Sequence, residues 1–243
     1  MEILVVGASG ATGRLLVEQL LNRECLVKVI VRSLENLPNS CRDNDRLSII
    51  CANVLELSDD EMVQHVSGCE AVASCLGHTM SLKGIYGQPR RLVTDAVRRL
   101  CNAIKMSRPQ APVKFVLMNT AGNRNRDLAE PISLTQRGVV GLIRLLVPPH
   151  ADNEQAADYL RNIIGQNNPL IEWVAVRPDD LVNELEVSGY EVYASPTRSA
   201  IFDAGSTSRI NVGHFMAELI NQDALWKRWR GKMPVIYNSV ISD

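Results

Sequence analysis

Short apolar segments alternate with amphipathic segments along most of the chain. Six apolar, mostly β-branched runs predict strands at Ile3–Val6, Leu26–Val31, Leu47–Cys51, Ala71–Leu76, Val113–Met118 and Ile171–Val176. Apolar residues at helical spacing predict helices at Thr12–Asn22, Ser58–His65, Arg90–Met106 and Asp152–Gln166. Because the strands are continuously apolar, we expect both of their faces to be buried. This alternation predicts an α/β protein with a doubly wound parallel sheet of the Rossmann type.

The pattern is weaker after Pro178. Strands are predicted around Tyr190–Ala194 and Val235–Tyr237, and a helix around Val212–Asn221. Ligands of open α/β sheets bind beyond the carboxyl ends of the strands, so residues 178–243 are predicted to wall a substrate cleft. No linker sets this region apart. We therefore predict a single domain over 1–243, with its cofactor-binding half at about 1–120.

One long segment, at about 122–150, interrupts the alternation. It begins with the polar run Asn123-Arg-Asn-Arg126 and becomes apolar over Val139–Val147. A long insertion beside an expected cofactor site is typical of a lid or an oligomer contact. An additional core helix is the alternative, and the sequence leaves both open.

Composition narrows the class of partner. The 243 residues are 46% hydrophobic and carry 26 basic and 27 acidic side chains, for a net charge of -1. This balance provides no overall basic field for nucleic acid or an anionic membrane. The apolar runs are too short to span a bilayer. We expect a small-molecule partner and either a monomer or a homodimer.

The cysteines and the start of the chain predict a reducing compartment. Six cysteines show neither a CxxC pair nor zinc-ligand spacing, and Cys51 and Cys75 lie in apolar runs where a reduced cysteine acts as a small hydrophobic residue. The chain opens directly on the predicted strand Glu2–Val6, which leaves no room for a signal peptide. We therefore expect a cytoplasmic protein.

The segment Gly7-Ala-Ser-Gly-Ala-Thr-Gly13 joins the first predicted strand to the first predicted helix. Its first glycine permits a tight exit from the strand, its second a close approach to a pyrophosphate, and its third close packing of the helix on the sheet. Backbone N–H groups at the positive end of a helix bind an anion, and Thr12 is predicted both to cap the helix and to donate its hydroxyl to phosphate. We assign dinucleotide binding to Gly7, Ser9, Gly10, Ala11, Thr12 and Gly13.

The end of the second strand indicates which dinucleotide is preferred. NAD sites carry an acidic residue there, which binds the ribose 2′-hydroxyl. This chain has Arg32 and Ser33, which suit a 2′-phosphate, with Glu35 and Asn36 nearby. NADP(H) is therefore predicted, with NAD(H) as a weaker ligand. A solvated surface charge is the alternative interpretation of Arg32.

Residues after the later strands are predicted to form the other walls of the cofactor site. Asn53 and Val54 are placed to meet the adenine, and Leu76 and Gly77 allow the backbone to pass close to the cofactor. His78 is predicted near the nicotinamide, and Thr120 ends the fifth strand. Each of these residues is alternatively an ordinary turn residue.

Candidate catalytic groups are few. Short-chain dehydrogenases use Tyr and Lys at YxxxK spacing, and no tyrosine here has a lysine four residues later. Thr120 and His150 are the candidate catalytic residues, with a His150–Glu154 pair able to move a proton. A helix start with a solvated acid is the alternative for that pair. No metal site is predicted, because HExxH and clustered ligands are missing, and the GxSxG elbow of serine hydrolases is missing as well.

The chain resembles the atypical short-chain dehydrogenases with NAD(P)H-binding, NmrA-like members, and among them the biliverdin-IXβ reductase or flavin reductase group. The resemblance covers nearly the whole chain. It rests on VVGASGATGRLL from Val5, VRSLENLP from Val31, NVLE from Asn53, SCLGH from Ser74, WVAVRPDDL from Trp173 and INVGHFMAEL from Ile210.

The resemblance implies NADP(H) held by Gly7–Gly13, Arg32 and Ser33, and hydride transfer to a planar conjugated acceptor such as a flavin, a quinone or an open tetrapyrrole. It places the Thr120 hydroxyl beside the nicotinamide. Asn53 stands where the family has Asp, and Asp180 replaces a reductase histidine. A catalytically silent NADP(H)-binding redox sensor or assembly factor is the alternative function. A sugar-nucleotide epimerase is disfavoured by the missing Tyr–Lys pair.

Overall fold

A computed structural model of the chain describes residues 1–35, 37, 41, 43–78, 81, 86–128, 130, 148–200 and 202–239. Two features singled out in the sequence lie outside these residues, namely Asn36 and the apolar run Val139–Val147. The structure therefore describes the two ends of the 122–150 segment.

Eight strands form a single, mainly parallel sheet. The described strands are β1 (Glu2–Val6), β2 (Leu26–Val31), β3 (Leu47–Cys51), β4 (Ala71–Ser74), β5 (Val113–Met118), β6 (Ile171–Pro178), β7 (Asp180–Val182), β8 (Tyr190–Tyr193), β9 (Ser206–Ser208) and β10 (Val235–Asn238). The sheet has the order β3-β2-β1-β4-β5-β6-β10-β8, in which β8 alone is antiparallel to its neighbour. Strands β7 and β9 form a separate parallel pair.

Helices cover both faces of this sheet. They are α1 (Gly13–Asn22), α2 (Asp59–Val66), α3 (Leu92–Ser107), α4 (Pro148–Tyr159) with a π-helical turn over Leu160–Ile164, α5 (Arg209–Asn221) and α6 (Asp223–Trp229). One apolar core lies between the sheet and helices α1, α5 and α6, and the second lies between the sheet and helices α2, α3 and α4. Helices α1 and α5 approach closely, because a Cβ on Gly213 would lie 3.0 Å from the backbone nitrogen of Leu16.

The predicted fold class is confirmed, with differences at the ends of elements. Strand β4 ends at Ser74, two residues earlier than predicted. Helix α4 begins earlier, at Pro148, because proline is tolerated in the first turn, where its missing N–H would have no helical partner. Beyond it, Gly165 adopts a φ of +75° and ends the π-helical turn. The sequence pattern missed β7, β9 and α6, since elements of three to seven residues show too little periodicity.

The expectations about membrane-spanning segments and about the cysteines can be compared with the structure. Within the described ranges, no helix is both long and apolar enough to cross a membrane. All six cysteines lie in the described part of the chain, and none of them forms a disulfide. Cys75 is buried, which raises the pKa of its thiol to about 12. The expectation that Cys51 is a buried hydrophobic residue is wrong, because it is the exposed last residue of the edge strand β3.

Candidate functional site

The sheet has its topological switch point between β1 and β4. These strands are neighbours and pair Val6 with Ser74 at their carboxyl ends, although the chain leaves β1 for α1 and passes through β2 and β3 before reaching β4. A crevice opens beyond the strands at such a point, and ligands of doubly wound sheets bind there. The glycine-rich turn and residues 75–78 therefore form the two sides of the candidate site.

The glycine-rich turn is too crowded for side chains at its first and last glycines. Gly7 has a φ of +77°, and a Cβ on it would lie 2.5 Å from the carbonyl carbon of Cys75. A Cβ on Gly13 would lie only 2.1 Å from the carbonyl oxygen of Gly7. The third glycine therefore lets the helix pack against its own entry turn. These contacts bring the turn and the end of β4 together, and the resulting backbone cradle fits a dinucleotide pyrophosphate.

Backbone hydrogen bonds join the glycine-rich turn to the start of α1. The Gly10 N–H donates to the carbonyl of Gly7 at 3.0 Å, and the Arg14 N–H donates to the carbonyl of Gly10 at 3.0 Å. Thr12 is buried at the N-cap position, and its side chain makes no capping hydrogen bond. The predicted cap is therefore wrong, because the Thr12 backbone is helical instead of extended and does not bring Oγ1 onto the following N–H groups. The predicted contact of Thr12 with phosphate stays a prediction.

Arg32 and Ser33 are exposed directly beyond the last residue of β2. Strand β2 pairs with β1, so the Arg32 guanidinium emerges at the same edge of the sheet as the glycine-rich turn, one strand away. Ser33 accepts a hydrogen bond from the Glu35 N–H at 3.2 Å. A cation and a hydroxyl are thus available where a ribose 2′-substituent is expected.

Asn53 and Val54, after β3, are engaged within the protein. The Asn53 amide accepts from the Leu55 N–H at 3.2 Å and donates to Glu56 at 2.8 Å, which makes it the centre of a turn. Val54 is buried in the core beside α2 and α3. These contacts lie within the protein, so the predicted contact of Asn53 and Val54 with adenine stays a prediction.

The end of β4 leads to a buried histidine. Leu76 is partly buried and Gly77 is exposed, and a Cβ on Gly77 would meet no atom within 4 Å among the described residues other than its chain neighbours. The His78 side chain is 5% exposed, and its Nε2 lies 2.8 Å from Oδ2 of Asp152. The open space at Gly77 is available to a ligand, and the imidazole of the next residue, His78, is held by the protein.

Asp152, a residue that the sequence did not identify as functional, is the partner of His78. Its carboxylate accepts hydrogen bonds from the N–H groups of Val93 and Thr94, at 2.8 and 2.9 Å. These groups belong to the first turn of α3, where Arg91 occupies the N-cap position without a side-chain bond. Asp152 in α4 therefore caps α3. A contact between residues this far apart in the chain leaves no motif or periodicity in the sequence that could predict it.

Thr120 and His150 lie together beyond the end of β5. A Cβ on Gly122 would lie 3.3 Å from Cε1 of His150 and 3.6 Å from Oγ1 of Thr120. His150 Nε2 lies 3.7 Å from Oε1 of Glu154, which is only 6% exposed. The interpretation of Glu154 as a solvated acid is therefore wrong, because the first turns of α4 bury it. The arrangement joins a hydroxyl to a histidine–carboxylate pair.

The polar start of the 122–150 segment is anchored in the protein interior. Asn123 and Asn125 are each 4% exposed. Asn123 donates to the Asn119 side chain at 3.1 Å, and Asn119 donates to the carbonyl of Asn153 at 2.9 Å. The amide side chains thus join the end of β5 to α4.

A buried ion pair fixes the same segment to the sheet. The Arg177 guanidinium is fully buried, and it pairs with the Glu130 carboxylate at 2.8 Å. It also donates to the carbonyls of Met233, Asn123 and Ala194. Glu130 in turn accepts from the N–H of Asn125 at 2.8 Å. This network unites β6 with the chain around β8 and β10.

The aspartates after β6 take different positions. Asp180 is exposed on β7, so this residue, where the resembling reductases have histidine, faces solvent. The Asp179 carboxyl accepts from the N–H of Gly205 at 2.9 Å, and burial raises its pKa. Among the described residues, no group of three or more His, Cys, Asp or Glu side chains is arranged for a metal ion.

Solved structures of other proteins share the fold along nearly the whole chain. An anaerobillin reductase from Escherichia coli O157:H7 superposes with a TM-score of 0.69 at 12% identity, over 100% of both chains. A proposed NADH-flavin reductase from Streptococcus pneumoniae has a TM-score of 0.65 at 16% identity, over 98% of this chain and 100% of the other. A wide-type short-chain dehydrogenase/reductase from Veillonella parvula, in complex with NADP, has a TM-score of 0.67 at 18% identity, over 98% and 94%.

Sequence comparison gives a curated relative and a family. An uncharacterised chloroplast protein of Arabidopsis thaliana is 43% identical over 58 residues, which span 24% of this chain and only 21% of that protein. The family model described as NAD(P)H-binding matches residues 7–223, from the glycine-rich turn to the start of α6. Since this match includes most of the chain, the protein belongs to the NAD(P)H-binding family.

Proposed function

We propose that the protein is an NADPH-dependent reductase of a planar conjugated acceptor, such as a flavin, a quinone or a tetrapyrrole. The observation that carries this proposal is the cluster of Thr120, His150 and Glu154 around Gly122, beyond the carboxyl end of β5. The cluster lies two strands from the glycine-rich turn, at the same edge of the sheet. It provides proton-transfer groups where a YxxxK pair is missing.

The preference for NADPH is part of the same proposal. The exposed Arg32 guanidinium, next to Ser33, stands at the end of β2 where an acidic residue would select NAD(H). A guanidinium forms charge-assisted hydrogen bonds with a phosphate and gains little from a neutral hydroxyl. The family match itself covers both cofactors, so the preference rests on these two residues.

The residues of the cluster are suited to protonating a reduced acceptor. NADPH, when bound, supplies a hydride. Thr120 Oγ1 accepts from the Gly122 N–H at 3.2 Å, so its own O–H remains able to donate to an acceptor atom. The Glu154 carboxylate stabilises a proton held on the His150 imidazole. Reduction of a conjugated ring needs less acid–base assistance than alcohol oxidation, which agrees with the missing tyrosine and lysine.

The structural neighbours support this acceptor class without defining the substrate. One is an anaerobillin reductase and another is a proposed NADH-flavin reductase. At 12% and 16% identity, these proteins share the fold with this chain. The proposal therefore depends on the chemistry of Thr120, His150 and Arg32.

Oxidation of NADPH by a panel of acceptors tests the proposal. Absorbance of the nicotinamide is followed with FMN, FAD, quinones and biliverdin, and with NADH as the comparison cofactor. We expect turnover with at least one acceptor and faster turnover with NADPH. His150→Gln and Thr120→Val should each lower kcat by roughly 10²-fold, the lower end of the usual contribution of acid–base catalysis. No oxidation above background with any acceptor would exclude the reductase and favour the silent NADP(H)-binding protein.

A further inference from the structure

The Asp152 carboxylate is fully buried and joins three elements at the cofactor crevice. Its side chain is 0% exposed, and it contacts His78 after β4 and the first turn of α3 while belonging to α4. A buried carboxylate is costly unless it is fully hydrogen-bonded. Here the Val93 and Thr94 N–H groups and the α3 dipole supply that stabilisation. The structure thus builds a rigid anionic anchor at this position.

The anchor determines the state of the imidazole. Oδ2 of Asp152 accepts the Val93 N–H and also lies 2.8 Å from His78 Nε2. Since an ionised carboxylate only accepts hydrogen bonds, Nε2 must carry a proton. The His78 ring is therefore held in one orientation, with the proton on the nitrogen that faces Asp152.

The same histidine follows the cofactor cradle closely along the chain. Leu76 N and the Cys75 carbonyl are in direct contact distance of any Cβ on Gly7, so the β4 end abuts the pyrophosphate turn. Gly77 follows, with open space at its Cβ among the described residues other than its chain neighbours, and His78 comes next. The protein thus fixes a histidine immediately after the point where β4 meets the glycine-rich turn.

We propose that Asp152 is a positioning residue for NADP(H), acting through His78. By holding the imidazole in its Nε2-protonated form against α3 and α4, it preorganises the wall of the crevice that contacts the cofactor beyond the pyrophosphate. Loss of this contact weakens cofactor binding although the glycine-rich turn is intact. This inference rests on the proposed function only in assuming that the nicotinamide end of NADP(H) lies in this crevice.

Two measurements on the full-length protein test this role. The first is the 15N NMR spectrum of the ligand-free protein, which reports the protonated nitrogen of His78 in the wild type and in Asp152→Asn. The second is the Kd for NADPH, measured by fluorescence for the wild type, Asp152→Asn, His78→Ala and the double variant. Thr94→Val is the matched control, because it removes the bond from Thr94 Oγ1 to the Asp152 carbonyl and keeps the carboxylate contacts.

We expect the His78 proton on Nε2 in the wild type. In Asp152→Asn we expect a changed His78 15N spectrum, because the single oxygen of an amide cannot replace both carboxylate oxygens toward the Val93 N–H, the Thr94 N–H and Nε2. Asp152→Asn and His78→Ala should each weaken NADPH binding by roughly tenfold, the scale of a charged hydrogen bond, and the double variant should be no weaker than either. Thr94→Val should stay within about twofold of the wild type.

Several results would overturn the role of Asp152. They are a wild-type His78 protonated only on Nδ1, unchanged NADPH binding in His78→Ala, and effects that multiply in the double variant. If Asp152→Asn does not fold, the wild-type spectrum and His78→Ala decide alone. NADPH that binds as expected but is never oxidised would refute the reductase and leave this inference intact.

Discussion

At the scale of single residues, the glycines of the candidate site differ in what requires them. Gly13 is demanded by the protein itself, because its Cβ would lie 2.1 Å from the Gly7 carbonyl oxygen. Among the described residues, a Cβ on Gly77 would meet no atom within 4 Å apart from its chain neighbours, so we attribute a requirement for glycine there to a ligand. Spacing along the sequence identified both positions without separating these two causes. Only the contacts across the crevice distinguish a glycine needed for folding from one needed for binding.

An alanine at Gly13 should therefore lower the stability of the protein, and an alanine at Gly77 should weaken NADPH binding. Gly13→Ala gains up to about 1 kcal/mol of helix propensity, but the clash with the Gly7 carbonyl should outweigh it, for a net loss of roughly 1–3 kcal/mol. Gly77→Ala should leave the free energy of unfolding unchanged and weaken NADPH binding several-fold. Urea denaturation and NADPH titration of both variants provide the measurement. Equal losses of stability in the two proteins would contradict the distinction.

At the scale of elements, the regular strands and long helices were predictable and the contacts between them were not. Continuous apolar runs predicted the ends of β2, β3 and β5 correctly, and they predicted the ends of β1 to within one residue. The run Asn123-Arg-Asn-Arg126 is polar in sequence, yet Asn123 and Asn125 are buried. Their burial depends on Glu130 and Arg177, and the pairing of charges so far apart in the chain leaves no periodic signal.

The Arg177–Glu130 pair should be essential for keeping this segment on the sheet. Glu130→Gln retains the shape of the side chain but leaves the buried guanidinium without its counter-charge, so we expect a loss of about 3–5 kcal/mol in the free energy of unfolding. The exposed pair of Arg46 and Glu24, whose side chains are 46% and 76% exposed, provides the control. Arg46→Met should cost less than about 1 kcal/mol. Similar urea midpoints for the two variants would argue against the anchoring role.

At the scale of the whole molecule, the order of the strands explains why distant residues meet. Thr120, His150, Gly7 and Arg32 come from different parts of the chain, and parallel strands bring their ends to one edge. The sequence predicted this edge because the Rossmann pattern is regular. It did not predict Asp152 as a partner of His78, because that contact depends on how α3 and α4 pack.

Ligand-induced stabilisation of the whole protein should reveal the cofactor preference. NADP⁺ at a hundred times its Kd should raise the free energy of unfolding by about 2.7 kcal/mol. Arg32→Asp should weaken NADP⁺ binding by about 1.5–3 kcal/mol and leave NAD⁺ binding nearly unchanged. Thermal midpoints with each cofactor measure this. Arg46→Asp, at the opposite edge of the sheet, should behave like the wild type. An Arg32→Asp protein with the wild-type ratio of affinities would refute the assignment.

The cap that Asp152 places on α3 also bears on how the chain folds. The capped N–H groups of Val93 and Thr94 lie 59 and 58 residues before Asp152. Closing a loop of this length costs more entropy than closing a local cap, and the first turn of α3 gains this cap only once α4 is in place. During synthesis, a nascent chain that has emerged only to the end of β5 therefore lacks the carboxylate that caps α3. The first turn of this helix therefore receives its cap only after translation of α4.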